Sequence, residues 1–470
     1  MLIKLFFVGV LVTVGGCAAL TTPASAPQPI DVPAAWSQAN EQAAGANTSL
    51  VSWWLRFDDP LLGTLINRAL LANTSIQGAQ AAVQQARALR DVTSAGLVPT
   101  LGSSASAQRN RNGDNSGNSF QVGLDASWEV DVFGAKRQAL NASDSAMLAS
   151  AASLGDVQVS IAAEVALNFI ALRSTQERLT IAQANLSSQQ ETLQLTQWRL
   201  QAGLVTSLEA AQASASAEQT AAQLLLLQTT VAQTVHALSL LTGQPPATLS
   251  AELAQFGPLP QAPDGLALAL PMETLRQRSD VRAAEYQVTA AAARVAQADA
   301  ARLPSFRLGG SLGLSALTVG ALTDGASIAA AVLASVAWPL LDGGASQAQV
   351  RSQQAALDQA SANYRGTVLT ALTEVENALV AMLRDKERLL RLQNASEAAN
   401  TAATLASQRY SSGLVDFQTV LETQRTRLGT QDSVATARAT VSADHVRLYK
   451  ALGGGWQPSD LAAPALPAKD

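Results

Sequence analysis

The stretch Arg199-Leu-Gln-Ala-Gly203-Leu204-Val205 returns later in the chain as Arg409-Tyr-Ser-Ser-Gly413-Leu414-Val415, at an offset of 210 residues. The same offset relates three further pairs, which are Trp128 and Trp338, Gly134 and Gly344, and Gly243 and Gly453. Matches that share one offset over such a distance indicate an internal duplication. We therefore predict two repeats, over 60–250 and 272–455, joined by a Pro-rich linker over 251–271.

Each repeat has the same predicted order of elements: a first helix, a hairpin of two strands and a pair of long helices. In the first repeat, the residues from Phe120 to Val132 alternate between apolar and polar side chains, which is typical of a half-exposed strand. The first helix is predicted over about 60–95. The predicted hairpins span 100–132 and 305–338, with tips at 109–119 and 321–327. The predicted long helices span 136–201, 206–242, 345–411 and 416–452.

The first long helix decides the architecture. Between Lys136 and Gln201 there is no proline, and Gly155 is the sole glycine, so about 66 residues would form about 100 Å of helix. Apolar side chains recur along it every seven residues, as in a coiled coil: Val165, Leu172, Leu179, Leu186, Leu193 and Leu200. Helices of this length do not fit a compact globule, and they predict a rod or a tube.

Four strands per chain are too few to close a barrel, for which about eight are needed. The predicted fold class is mainly α with a small β-barrel contribution: a long antiparallel α-helical coiled-coil tube, plus four β-strands per chain that form a 12-stranded barrel in a homotrimer. A dimer would leave little open lumen, and the sequence alone does not decide between the two. Trp128 and Trp338 are predicted to be membrane-interface aromatics, with packing at the strand-to-helix junction as the alternative.

The N-terminus has the features of a secretion signal. The apolar run from Leu5 to Val14 is too short to span a hydrocarbon core of about 30 Å. The segment Val14-Gly15-Gly16-Cys17 resembles a bacterial lipobox. We predict a lipoprotein signal peptide over 1–16 and lipidation of Cys17, and the alternative is a plain signal peptide with an unmodified cysteine.

The mature chain is predicted to begin with a lipidated extended segment over 17–59 and to end in a disordered tail over 456–470. Beyond the signal, no segment holds 18 uninterrupted apolar residues, so we expect no transmembrane helix in the mature chain. A membrane crossing would then need a barrel.

Composition excludes several classes of function. The net charge of −5 gives no electrostatic basis for binding nucleic acid. With Cys17 as the only cysteine, and His236 and His445 as the only histidines, the chain can form neither an internal disulfide nor a zinc cluster. The sequence also holds no phosphate-binding glycine loop and no nucleophile elbow. We predict a protein that is not an enzyme, with no catalytic residues, no metal and no cofactor.

Five groups of motifs, considered together, point to one family. They are Trp53-Trp54 with Phe57 and Asp59-Pro60-Leu61, Trp128-Glu-Val-Asp-Val-Phe-Gly134, Trp338-Pro-Leu-Leu-Asp-Gly-Gly344, the two Arg-x-x-x-Gly-Leu-Val turns, and Tyr449-Lys-Ala-Leu-Gly-Gly-Gly-Trp456. In these the chain resembles the TolC-like outer membrane factor family. The resemblance is greatest to its lipoprotein branch, the NodT-type proteins of resistance-nodulation-division efflux pumps.

The resemblance implies a location and a set of partners. The barrel would lie in the outer membrane of a Gram-negative bacterium, held also by the lipid anchor, and the helices would extend into the periplasm. Two turns would form the periplasmic tip and contact an adaptor (membrane fusion) protein: Gly203, Leu204 and Val205, and Gly413, Leu414 and Val415. Asp416 would join its symmetry mates in an acidic ring at the gate. The first repeat has Thr206 there, so the ring would hold three carboxylates.

The resulting functional prediction is an outer-membrane exit duct of a tripartite efflux pump. It would passively conduct drugs or other small molecules delivered by the adaptor and an inner-membrane transporter. Two alternatives remain open at this point: an outer-membrane channel for type I protein secretion, and a structural coiled-coil lipoprotein that bridges envelope layers. A stalked periplasmic enzyme or adhesin would need a globular head, for which the chain has no room.

Overall fold

The computed structural model describes residues 32–37, 50–113, 115–262 and 271–457. The predicted signal peptide, Cys17 and most of the extended segment over 17–59 lie outside the described residues. The described chain falls into two compact units. The sheet unit takes Ala81–Ala151 and Arg282–Thr367, and the helical unit takes Asp31–Gln80, Ala152–Val281 and Val368–Asp470. Each unit draws segments from both sequence repeats, so a repeat is not a compact unit of the structure.

Both halves of the chain contain two shorter helices, two strands and two long helices in the same order. The helices are α1 (Pro60–Ala72), α2 (Thr74–Ala95), α3 (Ala135–Gln201), α4 (Ser207–Leu241), α5 (Ser250–Leu253), α6 (Pro271–Gln277), α7 (Ser279–Ala300), α8 (Ala345–Ser411) and α9 (Phe417–Ala451). The strands are β1 (Thr100–Asn112), β2 (Asn115–Val130), β3 (Ser305–Ala316) and β4 (Ile328–Ala337). Within the described residues this confirms a mainly helical fold with a small β contribution.

The first helix, predicted as continuous, is broken at Asn73. The backbone of Asn73 is extended, and its side-chain Oδ1 accepts a hydrogen bond from the Ser75 N–H at 2.9 Å. Its Nδ2 donates to the Leu241 carbonyl at 2.9 Å, and the side chain is buried. Asn73 therefore caps the start of α2 and binds the end of α4, which the helical periodicity of the sequence did not reveal.

The sheet unit contains one antiparallel sheet in the order β1-β2-β3-β4. Its central pair joins the two repeats: β2 of the first repeat pairs with β3 of the second, from Phe120 opposite Ala316 to Val130 opposite Phe306. The two predicted hairpins thus form a single sheet.

The tip of the first hairpin is much shorter than predicted. Strand pairing continues to Asn112 opposite Asn115, where the sequence predicted a loop over 109–119. Gly113 has φ +63° in the connection, a conformation that glycine adopts without strain. The sequence predicted a loop here because the residues before Phe120 are polar or glycine, without the alternation that marks a half-buried strand. In the second hairpin, residues 317–327 connect the strands through two short 3-10 turns, Gly320–Thr323 and Gly325–Ser327.

The core of the helical unit is built on the aromatic residues near the start of the described chain. Trp53 lies in the 3-10 turn Trp53–Phe57 and is 1% exposed. Its ring centroid is 5.6 Å from that of Tyr449 on α9 and 6.0 Å from that of Phe57. The heptad residues Val165 and Leu172 of α3 belong to the same cluster. The heptad series in this unit is therefore helix packing.

Two segments predicted to be irregular are held by specific contacts. In the predicted linker, the Leu253 carbonyl accepts from Gln176 Nε2 at 2.9 Å and the Gln255 carbonyl accepts from Arg173 Nη1 at 2.7 Å. Residues 263–270 of the linker lie outside the described residues. At the other end, Trp456 is 5% exposed, so the packed chain extends into the first residue of the predicted tail. Residues 458–470 lie outside the described part.

The glycine within α3 has a packing role. A Cβ added at Gly155 would lie 2.4 Å from Trp456 Nε1, so only a hydrogen fits between the helix and the indole. Glycine within a helix costs about 1 kcal/mol relative to alanine. The close approach of Trp456 explains why the chain places one here.

Three helices are long and apolar enough to cross a membrane by length and composition: α3, α4 and α8. The prediction that no helix of the mature chain crosses a membrane rested on uninterrupted apolar runs, and it stays a prediction, because length and composition alone do not place a helix in a membrane. Alanine and leucine raise the mean hydropathy of these helices even though polar residues interrupt the runs.

We expect Gly243→Ala to destabilise the protein more than Gly203→Ala, because only the first adds a clash. Both glycines have φ near +70°, at +70° and +71°, and an L side chain there costs about 1–2 kcal/mol. A Cβ at Gly243 would also lie 2.3 Å from the Ala72 carbonyl oxygen, whereas one at Gly203 meets nothing within 4 Å. The clash should add about 1–3 kcal/mol. Thermal unfolding at matched protein concentration would measure the difference, and equal losses would contradict this account.

Candidate functional sites: the sheet face and the helix tips

One face of the sheet is apolar or small along all four strands up to Phe120. Register partners share a face, so it can be followed across the sheet. It consists of Leu101, Ser103, Ala105 and Ala107 of β1, Phe120, Val122, Leu124, Ala126, Trp128 and Val130 of β2, Phe306, Leu308, Gly310, Leu312, Leu314 and Ala316 of β3, and Ile328, Ala330, Val332, Ala334 and Val336 of β4. Several are well exposed, such as Val332 at 92% and Ile328 at 61%. This face is a large apolar surface without cover from the described chain.

The height of this face suits an outer membrane. From Val130 to Phe120 the face runs ten residues along β2, which is about 34 Å at about 3.4 Å per residue. At a strand tilt of about 40°, the band would be about 26 Å tall, close to the roughly 25 Å apolar band of outer-membrane barrels.

The opposite face is more polar, but not uniformly so. β2 and β3 place Asp125, Glu129 and Arg307 there, and Ser104 Oγ donates to Asp125 Oδ2 at 3.2 Å. β4, by contrast, contributes a stripe of small and apolar side chains to this face, including Leu333 at 65% exposure. The period-two alternation predicted from Phe120 to Val132 is therefore present in that part of β2, and β4 does not share it.

Both edges of the sheet are open in the described chain. β1 pairs only with β2, and β4 pairs only with β3. All ten residues of β4 are exposed. A long apolar edge strand with unpaired backbone groups is a template for pairing with another chain.

The two predicted interface tryptophans have different surroundings. Trp128 lies on the apolar face, is half-buried, and donates from Nε1 to the Leu97 carbonyl at 2.9 Å. Trp338 follows the end of β4 and is 57% exposed. Phe133 and Phe306 lie at the same end of the sheet, with ring centroids 6.3 Å apart. Their role at a membrane boundary stays a prediction.

In the helical unit, the two predicted tips have nearly identical geometry. Gly203 has φ +71° and Gly413 has φ +73°. The Leu204 N–H donates to the Arg199 carbonyl at 2.8 Å, and the Leu414 N–H donates to the Arg409 carbonyl at 2.9 Å. These bonds close the C-termini of α3 and α8 in the manner of a Schellman motif. Leu204 and Leu414 are each 73% exposed, which leaves two equivalent apolar side chains on the surface.

One side-chain cluster joins the two tips. The Tyr410 ring of α8 lies 5.5 Å from the Phe417 ring of α9, and the Arg199 guanidinium lies 4.8 Å from the Tyr410 ring centroid. Phe417 is buried and packs with Ala213 of α4. Side chains beside both tips therefore pack in one cluster. The sequence did not reveal this cluster, because its members come from four helices.

The second long helices of the two repeats, α4 and α9, begin with different N-terminal caps. The Thr206 N–H donates to Glu209 Oε2 at 2.8 Å before α4. Asp416 caps α9: its Oδ1 accepts from the Thr419 hydroxyl at 2.5 Å and from the Thr419 N–H at 2.9 Å. Both hydrogen bonds lower the pKa of the Asp416 carboxyl, and the bond from the Thr419 side chain has the larger effect. Asp416 is thus an exposed carboxylate that also caps a helix, and the gate role predicted for it stays a prediction.

Farther along the helices from the tips, polar side chains of α3 and α9 contact each other. Arg178 binds Asp432 through two nitrogens, at 2.6 and 3.2 Å. Arg427 Nη2 donates to Asn185 Oδ1 at 3.0 Å. These residues were missed in the sequence, where they are scattered among other polar positions.

The neighbouring carboxylates of α8 are engaged in structural contacts. Glu374 Oε2 accepts from Arg278 Nη2 at 2.8 Å, and the same guanidinium binds Asp280 and the Ala451 carbonyl. Glu376 accepts from the Ser37 N–H at 2.9 Å. Among the described residues, no group of three or more His, Cys, Asp or Glu side chains could hold a metal ion.

The comparisons with known proteins agree on one family. The outer membrane efflux protein family matches residues 65–244 and 270–454. The chain is 32% identical to the pyoverdine export outer membrane protein OpmQ of Pseudomonas aeruginosa, over 94% of this chain and 96% of that protein. It is 29% identical to nodulation protein T of Rhizobium leguminosarum bv. viciae, over 94% of this chain and 92% of that protein. The solved structure of the outer-membrane channel OprN matches with a TM-score of 0.86 and 34% identity, covering 93% of this chain and 100% of that one.

The matching family, OpmQ and OprN are described as efflux, export and channel proteins, not as enzymes, and they confirm the family that the sequence motifs indicated. The likeness extends over nearly the whole chain, and the residues matched by the family include the sheet and both tips. The chain belongs to the outer membrane efflux protein family and is an outer-membrane efflux channel of the Gram-negative type.

Proposed function

We propose that three copies of this chain form the exit duct, with their sheets closed into one 12-stranded barrel. The observation that best supports this proposal is a four-stranded sheet with an uncovered apolar face and two open edges. In the barrel, β4 of one copy pairs with β1 of the next, so each edge finds a partner. The apolar face meets lipid, and the face with Asp125, Glu129 and Arg307 lines the lumen.

The two tips are the proposed docking site for a periplasmic adaptor, which connects the duct to an inner-membrane transporter. Leu204 and Leu414 offer matched exposed apolar side chains on hydrogen-bonded turns, next to Val205 and Val415. The duct itself needs no cofactor, because the transporter supplies the energy. Lipidation of Cys17 would add an anchor in the outer membrane.

The proposed cargo is a small molecule, such as a drug. Type I protein secretion remains the second candidate, since it would use the same duct architecture. One of the relatives, OpmQ of Pseudomonas aeruginosa, is a pyoverdine export outer membrane protein. A purely structural rod would not need a sheet with one apolar face.

Ion conductance of the purified, detergent-extracted oligomer in a planar lipid bilayer tests the duct. We expect discrete, reproducible single-channel steps, which a closed resting gate would keep small. If no steps occur with either the parent protein or variants at Asp416, the barrel is wrong and the structural rod becomes the better account.

Two substitutions at Asp416 separate its gate charge from its helix cap. Asparagine still caps a helix but removes the carboxylate, whereas alanine removes both, and loss of the cap costs about 1 kcal/mol. If the proposed ring of three carboxylates controls the gate, Asp416→Asn and Asp416→Ala should both change the single-channel conductance at neutral pH, where the parent side chain is ionised. A change with alanine alone would assign the effect to the cap and contradict the gate role.

A further inference from the structure

Two arginines interrupt the apolar face of the sheet at its hairpin end. Arg109 and Arg111 lie on the same face of β1 as Ala105 and Ala107, because side chains two residues apart on a strand share a face. Their register partners on β2 are Asn118 and Ser116. On this face of the described strands, no other residue carries a charge.

The depth of the two arginines follows from the register. β4 ends at Ile328 opposite Leu314, and β3 ends two residues farther on, where Phe120 lies opposite Ala107 and Ala316. Beyond this level β1 and β2 continue as a two-stranded ribbon. Arg109 is then about 7 Å and Arg111 about 14 Å farther along the strand. At a tilt of about 40° these distances place them roughly 5 and 10 Å above the apolar band.

The lipid headgroups form a layer of about 5–8 Å on each side of the hydrocarbon core, so the backbone of Arg109 lies within it and that of Arg111 lies about 2 Å beyond its outer limit. Arginine reaches such a layer easily, because its long apolar stem lets the guanidinium move toward polar surroundings. A single arginine on a strand would be an ordinary surface residue, but two stacked on the lipid-facing side just beyond the apolar band define a rim.

The charge of the rim contrasts with that of the chain, which is −5 overall. Both arginines are exposed, and within the described residues neither forms an ion pair with a carboxylate. Arg111 Nε donates to the Gly113 carbonyl at 3.3 Å, which leaves its terminal nitrogens available. A guanidinium binds phosphate oxygens with two parallel hydrogen bonds.

We propose that Arg109 and Arg111 of each protomer bind the phosphate groups of an anionic lipid in the outer leaflet of the outer membrane. This site rests on the proposed function, because the apolar face must meet lipid and the hairpin end must point outward. In a trimer it occurs three times around the rim. Bound phosphates would hold the ribbons upright and fix the depth of the barrel in the membrane.

Lipid binding to the purified oligomer, measured by native mass spectrometry with bis-phosphorylated lipid A, tests the proposal. The double variant Arg109→Ala/Arg111→Ala should lose about thirtyfold in affinity and each single variant about fivefold, since one basic residue near an anionic surface contributes about a fivefold preference. Phosphatidylcholine, which carries no net charge, should bind equally to all variants. The matched control Gln108→Ala/Asn110→Ala changes the same level of β1 on its other face and should keep parent affinity.

Single-channel steps of each variant show that the oligomer is intact. Should the alanine double variant fail to assemble, Arg109→Lys/Arg111→Lys keeps the charge and should retain most of the lipid A affinity. Unchanged lipid A binding by an assembled alanine double variant overturns the proposal. Loss only in the Gln108/Asn110 control would mean that the other face meets lipid, which would overturn the proposed orientation of the sheet as well.

Discussion

Val332→Arg is expected to prevent stable assembly in the outer membrane. Val332 is 92% exposed on the apolar face of β4, opposite Gly310 of β3, and Gly310 in turn lies opposite Ala126 of β2. That level is near the middle of the apolar band. An arginine facing lipid at the midplane of a barrel costs about 2–4 kcal/mol, and a trimer would carry three of them. The yield of heat-resistant oligomer in outer-membrane extracts measures the effect.

Leu333→Arg is the matched control, because Leu333 follows Val332 in sequence and lies on the opposite face of the sheet. Leu333 pairs with Gly309 and is 65% exposed. Facing an aqueous lumen, an arginine there should leave assembly within about 1 kcal/mol of the parent protein while changing conductance. Equal loss of oligomer in both variants would argue against a lipid-facing side of the sheet.

Trp53→Ala should cost about 3–5 kcal/mol of unfolding free energy, the usual loss when a buried tryptophan is truncated. Trp53 is 1% exposed and contacts the rings of Trp54, Phe57 and Tyr449. The substitution would leave a cavity between the start of the helical unit and α9. Denaturant unfolding measured at one protomer concentration, so that any effect of oligomerisation is constant, gives the difference.

Trp198→Ala is the control for Trp53→Ala, because it makes the same substitution at an exposed position. Trp198 on α3 is 56% exposed, so its removal should alter stability by less than about 0.5 kcal/mol. If both variants lost the same stability, the aromatic cluster around Trp53 would not be the structural centre of the helical unit.

The sequence by itself determined the long helices and the turns that end the first of each pair. Seven-residue spacing of apolar side chains and the absence of proline predicted α3 from residue 136, and the structure has Ala135–Gln201. The recurrent Gly-Leu-Val marked both tips, because glycine after a helix favours the left-handed conformation that Gly203 and Gly413 adopt. Such features depend on residues close in sequence, so a local pattern is enough to find them.

Only the tertiary structure decided which distant residues meet. The pairing of β2 with β3 across the two repeats, the break at Asn73 and the fit of Gly155 against Trp456 each depend on a partner far along the chain. Strand pairing leaves no local signal, since backbone hydrogen bonds are the same for every sequence. The apolar face of β2 was visible in its alternation, but β4 is apolar on both sides, and its outward face became known only from its register with β3.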